Sequence, residues 1–250
     1  MLEKIKYFDP EDNELEDRII LVSGAGSGIG KEASIQFSDY GAKLILLSKN
    51  LSHLEEVHNE IINRGNHEPL IHQIDFNSAS EKEYKDISTA IENQYEKLDC
   101  LLNNAAILGE KKPIEHYDSL TWDVVIQTNL RSPFLLTKNL IPLLRKSDSG
   151  SILFSSSGVG KKGRAYWGAY SVSKFAIEGL NQILAEELDN TSNIRVNCIN
   201  PGATRTQMRQ KAYPAENPNE VEKPEKKINS YIYFMSKKSK SINGVSIDLI

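Results

Sequence analysis

Along the chain, short runs of consecutive apolar residues alternate with longer stretches in which apolar positions recur every three or four residues. The first kind predicts strands over Arg18–Gly24 (RIILVSG), Lys43–Ser48 (KLILLS), Pro69–Asp75 (PLIHQID), Asp99–Ala105 (DCLLNNA), Gly150–Ser157 (GSILFSSS), Ile194–Asn200 (IRVNCIN) and the closing GVSIDLI from Gly244. The second kind predicts helices over Ile29–Tyr40, Leu51–Asn63, Ser80–Tyr95, about Leu120–Leu144, and Tyr170–Leu188. A strand covered on both faces has no polar side to show, so a continuous apolar run marks it. Strands of that kind separated by helices imply right-handed crossovers into a parallel sheet. No low-complexity linker and no repeat divides the chain. The expected fold class is therefore α/β, a single doubly wound parallel sheet of about seven strands with helices on both faces. One domain should span residues 1–250, with about 1–14 as an N-terminal extension. Residues 205–227 break the rhythm with Pro214, Pro218, Pro224 and many charges, and are expected to form a lid over the sheet edge.

Charge and composition mainly exclude. A net charge of −4 gives no general attraction to nucleic acid or to an anionic membrane. No apolar run approaches the roughly 18 residues that a bilayer span needs. The start, MLEKIKYFDPEDNELED, lacks the apolar centre of a signal peptide, so the expected compartment is the cytoplasm. Cys100 and Cys198 sit in apolar runs without C-x-x-C spacing and should be buried free thiols on strands separated by a third. The histidines form no H-E-x-x-H pattern, so no metal site is expected, and without G-x-S-x-G a serine hydrolase has no nucleophile elbow.

Candidate chemistry begins directly after the first strand, with SGAGSGIG, Ser23–Gly30. The stretch is not G-x-G-x-x-G, because Ile29 stands where the last glycine would fall. It is G-x-x-x-G-x-G, carried by Gly24, Gly28 and Gly30. Glycines allow the tight turn and close backbone approach, and the following helix offers free N–H groups to a pyrophosphate. Such a turn is also a common structural device; its place after a buried strand favours a dinucleotide, with Gly24, Ser27, Gly28, Ile29 and Gly30 as candidates. At the end of the second strand, where an NAD site usually carries a carboxylate, stand Ser48, Lys49 and Asn50. A 2′-phosphate would be accepted there, which favours NADP(H). If Lys49 is only a solvated strand-end lysine, NAD(H) stays open.

In GAYSVSKFAIEGL, Gly168–Leu180, the residues Ala169, Val172, Phe175, Ala176, Gly179 and Leu180 read as the small apolar face of a buried helix. Tyr170 and Lys174 lie four apart and share one side of it. A phenol beside an ammonium is either a surface contact or a proton donor with adjusted acidity.

Taken with NNAA (Asn103–Ala106), Asn129 in QTNLRSPF, Ser157 thirteen residues before Tyr170, and NPGATRT (Asn200–Thr206), these motifs resemble the short-chain dehydrogenase/reductase family. The likeness covers about Leu15–Ile250 and is most like a bacterial, YciK-like oxidoreductase branch. It implies a Rossmann-like fold with Tyr170 as general acid and base. Lys174 would lower the Tyr170 pKa and hold the nicotinamide ribose, Ser157 would bond the substrate oxygen, and Asn129 would hold a relay water behind Lys174. By the same resemblance Asp75 and Phe76 belong to the adenine edge, Asn103 and Ala105 to the cofactor wall, and Pro201, Gly202 and Thr204 to the nicotinamide side. It also implies a homodimer or homotetramer paired through the two long helices. Ala106 departs from the glycine the family usually has there.

The expected function is hydride transfer between NADP(H) and a small-molecule carbonyl or secondary alcohol. An NAD-linked dehydrogenase and a non-catalytic dinucleotide-binding scaffold are the alternatives. Met208, Ala212 and Tyr213 should form the inner face of the lid. Arg209, Lys211, Lys161, Lys162 and Arg164, near Tyr166 and Trp167, suggest a substrate apolar at the carbonyl and anionic farther out, such as an acyl thioester; charged loops that are merely solvated are the equal alternative.

Overall fold

The strands β1 (Ile19–Ser23), β2 (Lys43–Ser48), β3 (Leu70–Gln73), β4 (Cys100–Asn103), β5 (Gly150–Ser155), β6 (Ile194–Asn200) and β7 (Ser246–Asp248) form one sheet in the order β3-β2-β1-β4-β5-β6-β7. Every neighbouring pair is parallel. The computed structural model describes residues 2–249. The apolar runs mean what they should. Successive residues of β1 enter opposite cores, Ile20 and Val22 on one side, Ile19 and Leu21 on the other.

The first core lies under α1 (Leu2–Lys6), α2 (Gly28–Asp39), α3 (Leu51–Asn63) and α9 (Ile228–Met235). The second lies under α4 (Glu81–Tyr95), α6 (Ser132–Leu144) and α7 (Gly168–Leu188). Cys100 pairs in register with Ser151 and Cys198 with Phe154, so β5 separates two buried free thiols as the strand order requires.

Three elements differ from expectation. The long helix expected over Leu120–Leu144 is α5 (Ser119–Ile126) and α6 joined by a π-helical turn, Gln127–Arg131, which carries Asn129. Such turns break the i→i−4 ladder and recur at functional sites. Helix α9, INSYIYFM, has no polar face and so no helical periodicity to reveal it. It is clamped beneath the sheet by the buried Arg195 guanidinium, which donates to Ser149, Gly150, Phe234 and Ser236 carbonyls. Burial pulls that guanidinium down to about 10. The N-terminal extension packs on α9, with Ile5 and Leu15 buried and the Ser230 hydroxyl donating to the Ile5 carbonyl at 3.0 Å.

The third difference is α7. Its buried face mixes polar residues (Ser173, Lys174, Glu178 and Asn181) with apolar ones (Ala169, Ile177, Leu184, Ala185 and Leu188), while Val172, Phe175 and Ile183 are exposed. Of the apolar face expected inside, Ala169 is buried and Leu180 packs on the second core, whereas Val172 and Phe175 face outward.

Candidate active site

At the carboxyl ends of β1, β4, β5 and β6 opens a cavity of about 460 Å³, where ligands bind in doubly wound folds. Its floor at one end is the glycine-rich turn. Gly24 has φ +70°, and a Cβ there would come within 2.8 Å of the Ala105 Cα. Gly28 has φ +55° and faces Thr206. A side chain at Gly30 would collide with the Gly24 carbonyl and the Asn104 amide, so Gly30 packs helix on strand and does not line the cavity. Ser27 occupies the N-cap of α2, yet its hydroxyl makes no capping bond, and no acidic residue sits in the first turn. Free N–H groups, a free hydroxyl and the positive end of the helix all face the cavity, an arrangement that suits a pyrophosphate.

The cavity also takes in Ile29, Ala105, Ser157, Tyr170, Lys174, Pro201, Gly202 and Thr204. Six expected cofactor residues lie outside it, at the ends of β2, β3 and β4. Ser48 and exposed Lys49 end β2, and a Cβ on Gly26 would sit 3.0 Å from the Ser48 hydroxyl, so the glycine turn abuts that strand end. Asn50 is first of all a helix cap, accepting from the His53 N–H and the Ser52 hydroxyl. Exposed Asp75 accepts from the Asn77 N–H at 3.0 Å. Phe76 is buried against Tyr84, and its carbonyl lies 2.8 Å from the Ser132 hydroxyl. Asn103 donates to the Thr137 hydroxyl at 3.0 Å, while its amide oxygen is buried without a partner.

At the other end of the cavity Tyr170 and Lys174 come from α7, and Ser157 from the turn after β5. Ser157 precedes a short 3-10 turn with extended backbone and no capping bond, leaving its hydroxyl for Tyr170. Lys174 donates to the Ser155 carbonyl at 2.6 Å, with its Nζ 5.7 Å from the Tyr170 ring centre. The expected lowering of the Tyr170 pKa is not what this geometry gives. Burial pushes the phenol up to about 12, eased only by the Ser157 hydroxyl. Burial also pulls Lys174 down to about 8. Turned toward the Ser155 carbonyl, the ammonium does not offset the burial of the phenol.

Asn129 lies outside the cavity wall. Its amide donates to the Ile107 carbonyl (2.9 Å) and the Ser173 hydroxyl (3.2 Å), and accepts from the Ile107 N–H (2.8 Å). Both of its donors are spent on tying the loop after β4 to α7, which leaves the side chain no donor for a relay water.

Of residues 205–227, the stretch from Arg205 to Tyr213 lines the cavity. Helix α8 (Gln207–Ala212) puts Met208 and Ala212, with Tyr213 after it, against Trp167, Tyr170 and Leu108, as the expected inner face of the lid. The expected ring of free cations is absent. Lys161 turns away to Asp248 at 2.9 Å, and Lys162, Arg164 and Lys211 point to solvent outside the cavity. Two residues of the site were not among the expected ones, although Asn104 stands within NNAA. Asn104 donates to the Ser23 carbonyl and accepts from the Ser155 hydroxyl, joining the glycine turn to β5. Lys111 lies over both Trp167 and Tyr213 and donates to the Ala212 carbonyl at 2.8 Å. Their partners lie tens of residues away in sequence.

Among the described residues no group of histidine, cysteine or carboxylate side chains could hold a metal, and no helix is long and apolar enough to cross a membrane. Comparison with known proteins matches residues 18–217 to the family described as short chain dehydrogenase. An oxidoreductase of Escherichia coli K12, YciK, is 40% identical over 242 residues, 97% of this chain and 95% of that protein. A short chain dehydrogenase of Salmonella enterica serovar Typhi superposes with a TM-score of 0.95 at 42% identity, covering 97% of this chain and 99% of its own. A Shigella flexneri 2a structure solved in complex with NADP superposes at 0.93 with 40% identity, covering 96% and 99%.

Proposed function

The chain belongs to the short-chain dehydrogenase family of oxidoreductases, and we propose that it transfers hydride between NADP(H) and a carbonyl or secondary alcohol, with Tyr170 as general acid and base. One observation carries the reading: a phenol buried at the cavity floor, with the Ser157 hydroxyl beside it and the Lys174 ammonium behind it, directly beyond a phosphate cradle.

Ser27, Gly28 and Ile29 would hold the pyrophosphate, Thr204 and Gly202 the nicotinamide side, and Lys174 the ribose between them. The absence of a carboxylate beside Lys49 suits a 2′-phosphate, and a 40% identical neighbour was solved with NADP. When bound, NADP(H) supplies the hydride.

The protein supplies the proton and the field. In reduction Tyr170 donates from Oη to the carbonyl oxygen as that oxygen gains charge, and Ser157 donates a second hydrogen bond to the same atom. With the phenol pushed up to about 12, Tyr170 is fully protonated at neutral pH, the state a reductase needs. Lys174, held on the Ser155 carbonyl, stays cationic below about 8.

Purified protein should consume NADPH with carbonyl substrates, and Tyr170→Phe should remove turnover while retaining NADPH affinity. Substantial turnover in Tyr170→Phe would remove Tyr170 from this role.

A further inference from the structure

Beyond Tyr170 the cavity is walled by rings. Trp167 lies 5.8 Å from the Tyr170 ring, tilted by 48°, and 5.9 Å from the Tyr213 ring, tilted by 50°. Leu108, Met208 and Ala212 close the remaining side. The turn that aims Trp167 inward carries strain: Tyr166 adopts φ 72°, rare for an aromatic residue, and leaves its own ring exposed.

The cations at this end are occupied. Arg209 lies flat over Tyr213 at 3.8 Å and forks onto Glu216 with bonds of 2.7 and 2.6 Å. Lys111 spans Trp167 and Tyr213 and is anchored on the Ala212 carbonyl, outside the cavity lining. Arg205 precedes Thr206, which faces Gly28, and its Nε donates to the Val221 carbonyl. At this end a carboxylate or phosphate on the substrate would meet Arg209 already paired with Glu216. An uncharged ring displaces only water and meets aromatic faces at angles that suit edge and offset contacts.

We propose that the substrate is an uncharged carbonyl compound built on a small ring, an aryl or alicyclic ketone, and not a charged acyl thioester. It deepens the carbonyl reading and rests on it. About 460 Å³ must also hold the nicotinamide end of the cofactor, which limits the substrate to one or two rings.

Matched pairs test it: an aryl methyl ketone and cyclohexanone against the same skeletons bearing a distal carboxylate, plus a short acyl thioester. Neutral ketones should lead in kcat/KM by roughly tenfold or more. Trp167→Ala should raise their KM far more than it alters NADPH affinity, and Trp167→Phe should recover most of the loss. A preference for the carboxylated analogues or the thioester overturns the inference, as does a Trp167→Ala protein with an unchanged KM. If a protein that binds NADPH reduces no carbonyl at all, the proposed function itself falls, and the substrate class with it.

A buried carboxylate on the same helix has no part in the chemistry so far. Tyr170, Lys174 and Glu178 follow one another at i, i+4 and i+8 on the inner face of α7, all buried. Glu178 Oε1 accepts from the Ser156 hydroxyl, the residue before Ser157, and from the Ser246 hydroxyl on β7 at 2.9 Å. We infer that Glu178 is a positioning residue, keeping Lys174 cationic and fixing the β5 end that presents Ser157.

The other groups around the pair do not supply the charge. Burial pulls Lys174 down, opposed by Cys198 on β6 and by Glu178. Burial pushes the Cys198 thiol itself well above its ordinary range, so it is neutral at working pH. Tyr231 on α9 is pushed up in the same way. Tyr170 is protonated, and Lys161 and Asp248 beside β7 satisfy each other. Glu178, one helical turn from Lys174 on the buried face of α7, is the carboxyl group that remains.

Glu178→Gln keeps an acceptor for both serine hydroxyls and removes only the charge. The pH at which NADPH affinity and reductive kcat/KM decline should move down by about one unit, with the melting temperature nearly unchanged. Glu178→Asp, which retains the charge, should keep the wild-type profile. A Glu178→Gln protein with the wild-type pH profile, or a Glu178→Asp protein with a shifted one, overturns the assignment.

Discussion

Three adjacent serines follow one another at the end of β5, and each is bound to something different. The Ser155 hydroxyl donates to Asn104 and its carbonyl holds Lys174; Ser156 donates to Glu178; Ser157 is left for Tyr170. Spacing from Tyr170 singles out Ser157 in the sequence, but nothing there separates the tasks of its neighbours, whose partners come from β4 and α7. The pH dependence follows from the ionisations. Lys174, lowered to about 8, is charged below that value and loses its proton as pH rises through it, whereas Tyr170 holds its proton to about 12. Reductive kcat/KM should therefore be level through neutral pH and fall above about 8; a rate still rising at that point would contradict the assignment. At the far end, exposed Lys49 makes no ion pair among the described residues and is free for a 2′-phosphate. Lys49→Ala should weaken NADPH by roughly tenfold, about 1.4 kcal/mol, and leave NADH nearly unchanged. Equal loss for both by titration would assign Lys49 to neither.

At the scale of elements, the inner strands were legible because a sheet buried on both faces leaves continuous apolar runs, and β1 shows both faces filled, whereas the edge strand β3 is mostly exposed. Helices α2, α3 and α4 were legible because each has one wet side. Helix α9 was not, since it is apolar all round, and neither was the π turn, since Gln127–Arg131 reads like ordinary helix. Tyr170, Lys174 and the glycines are local motifs and could be read off. Asn104, Lys111 and Glu178 act through partners brought together only by the fold. Asn129 belongs to both groups: its position was legible, its bonds were not. Through Ile107 it holds the main chain of the loop after β4 on both sides. Asn129→Ala leaves those buried backbone groups without partners, which should destabilise the protein by about 1–3 kcal/mol. Exchange of the Ile107 amide with solvent should quicken in step. A variant with wild-type stability and a protected Ile107 amide would show that the loop is held by other means.

On the scale of the whole molecule, the exposed apolar side of α7 is the feature a single chain leaves unexplained. Phe175 and Val172 are 45% and 46% exposed, Ile183 is 55%, and Phe134 on α6 is 44%. On its inner side α7 buries Lys174 and Glu178 beside Ile177 and Leu184, so these outward residues are apolar surface left over after the core is filled. Scattered apolar residues on a surface are ordinary, but a run at helical spacing beside a small, open position calls for a partner. Gly179 is that position, since a Cβ built there would meet nothing within 4 Å. A second copy of the chain, its α7 laid against this one, would cover Phe175 and Val172 with their own equivalents, as a two-fold interface requires. The protein should run as a dimer or tetramer in light scattering at micromolar concentration. Phe175→Glu places two like charges across the axis and should yield monomers that keep the fold, read from an unchanged circular dichroism spectrum. Both outcomes depend on the same face: a wild-type monomer, or a Phe175→Glu protein that assembles as before, would leave the exposed side of α7 without this explanation.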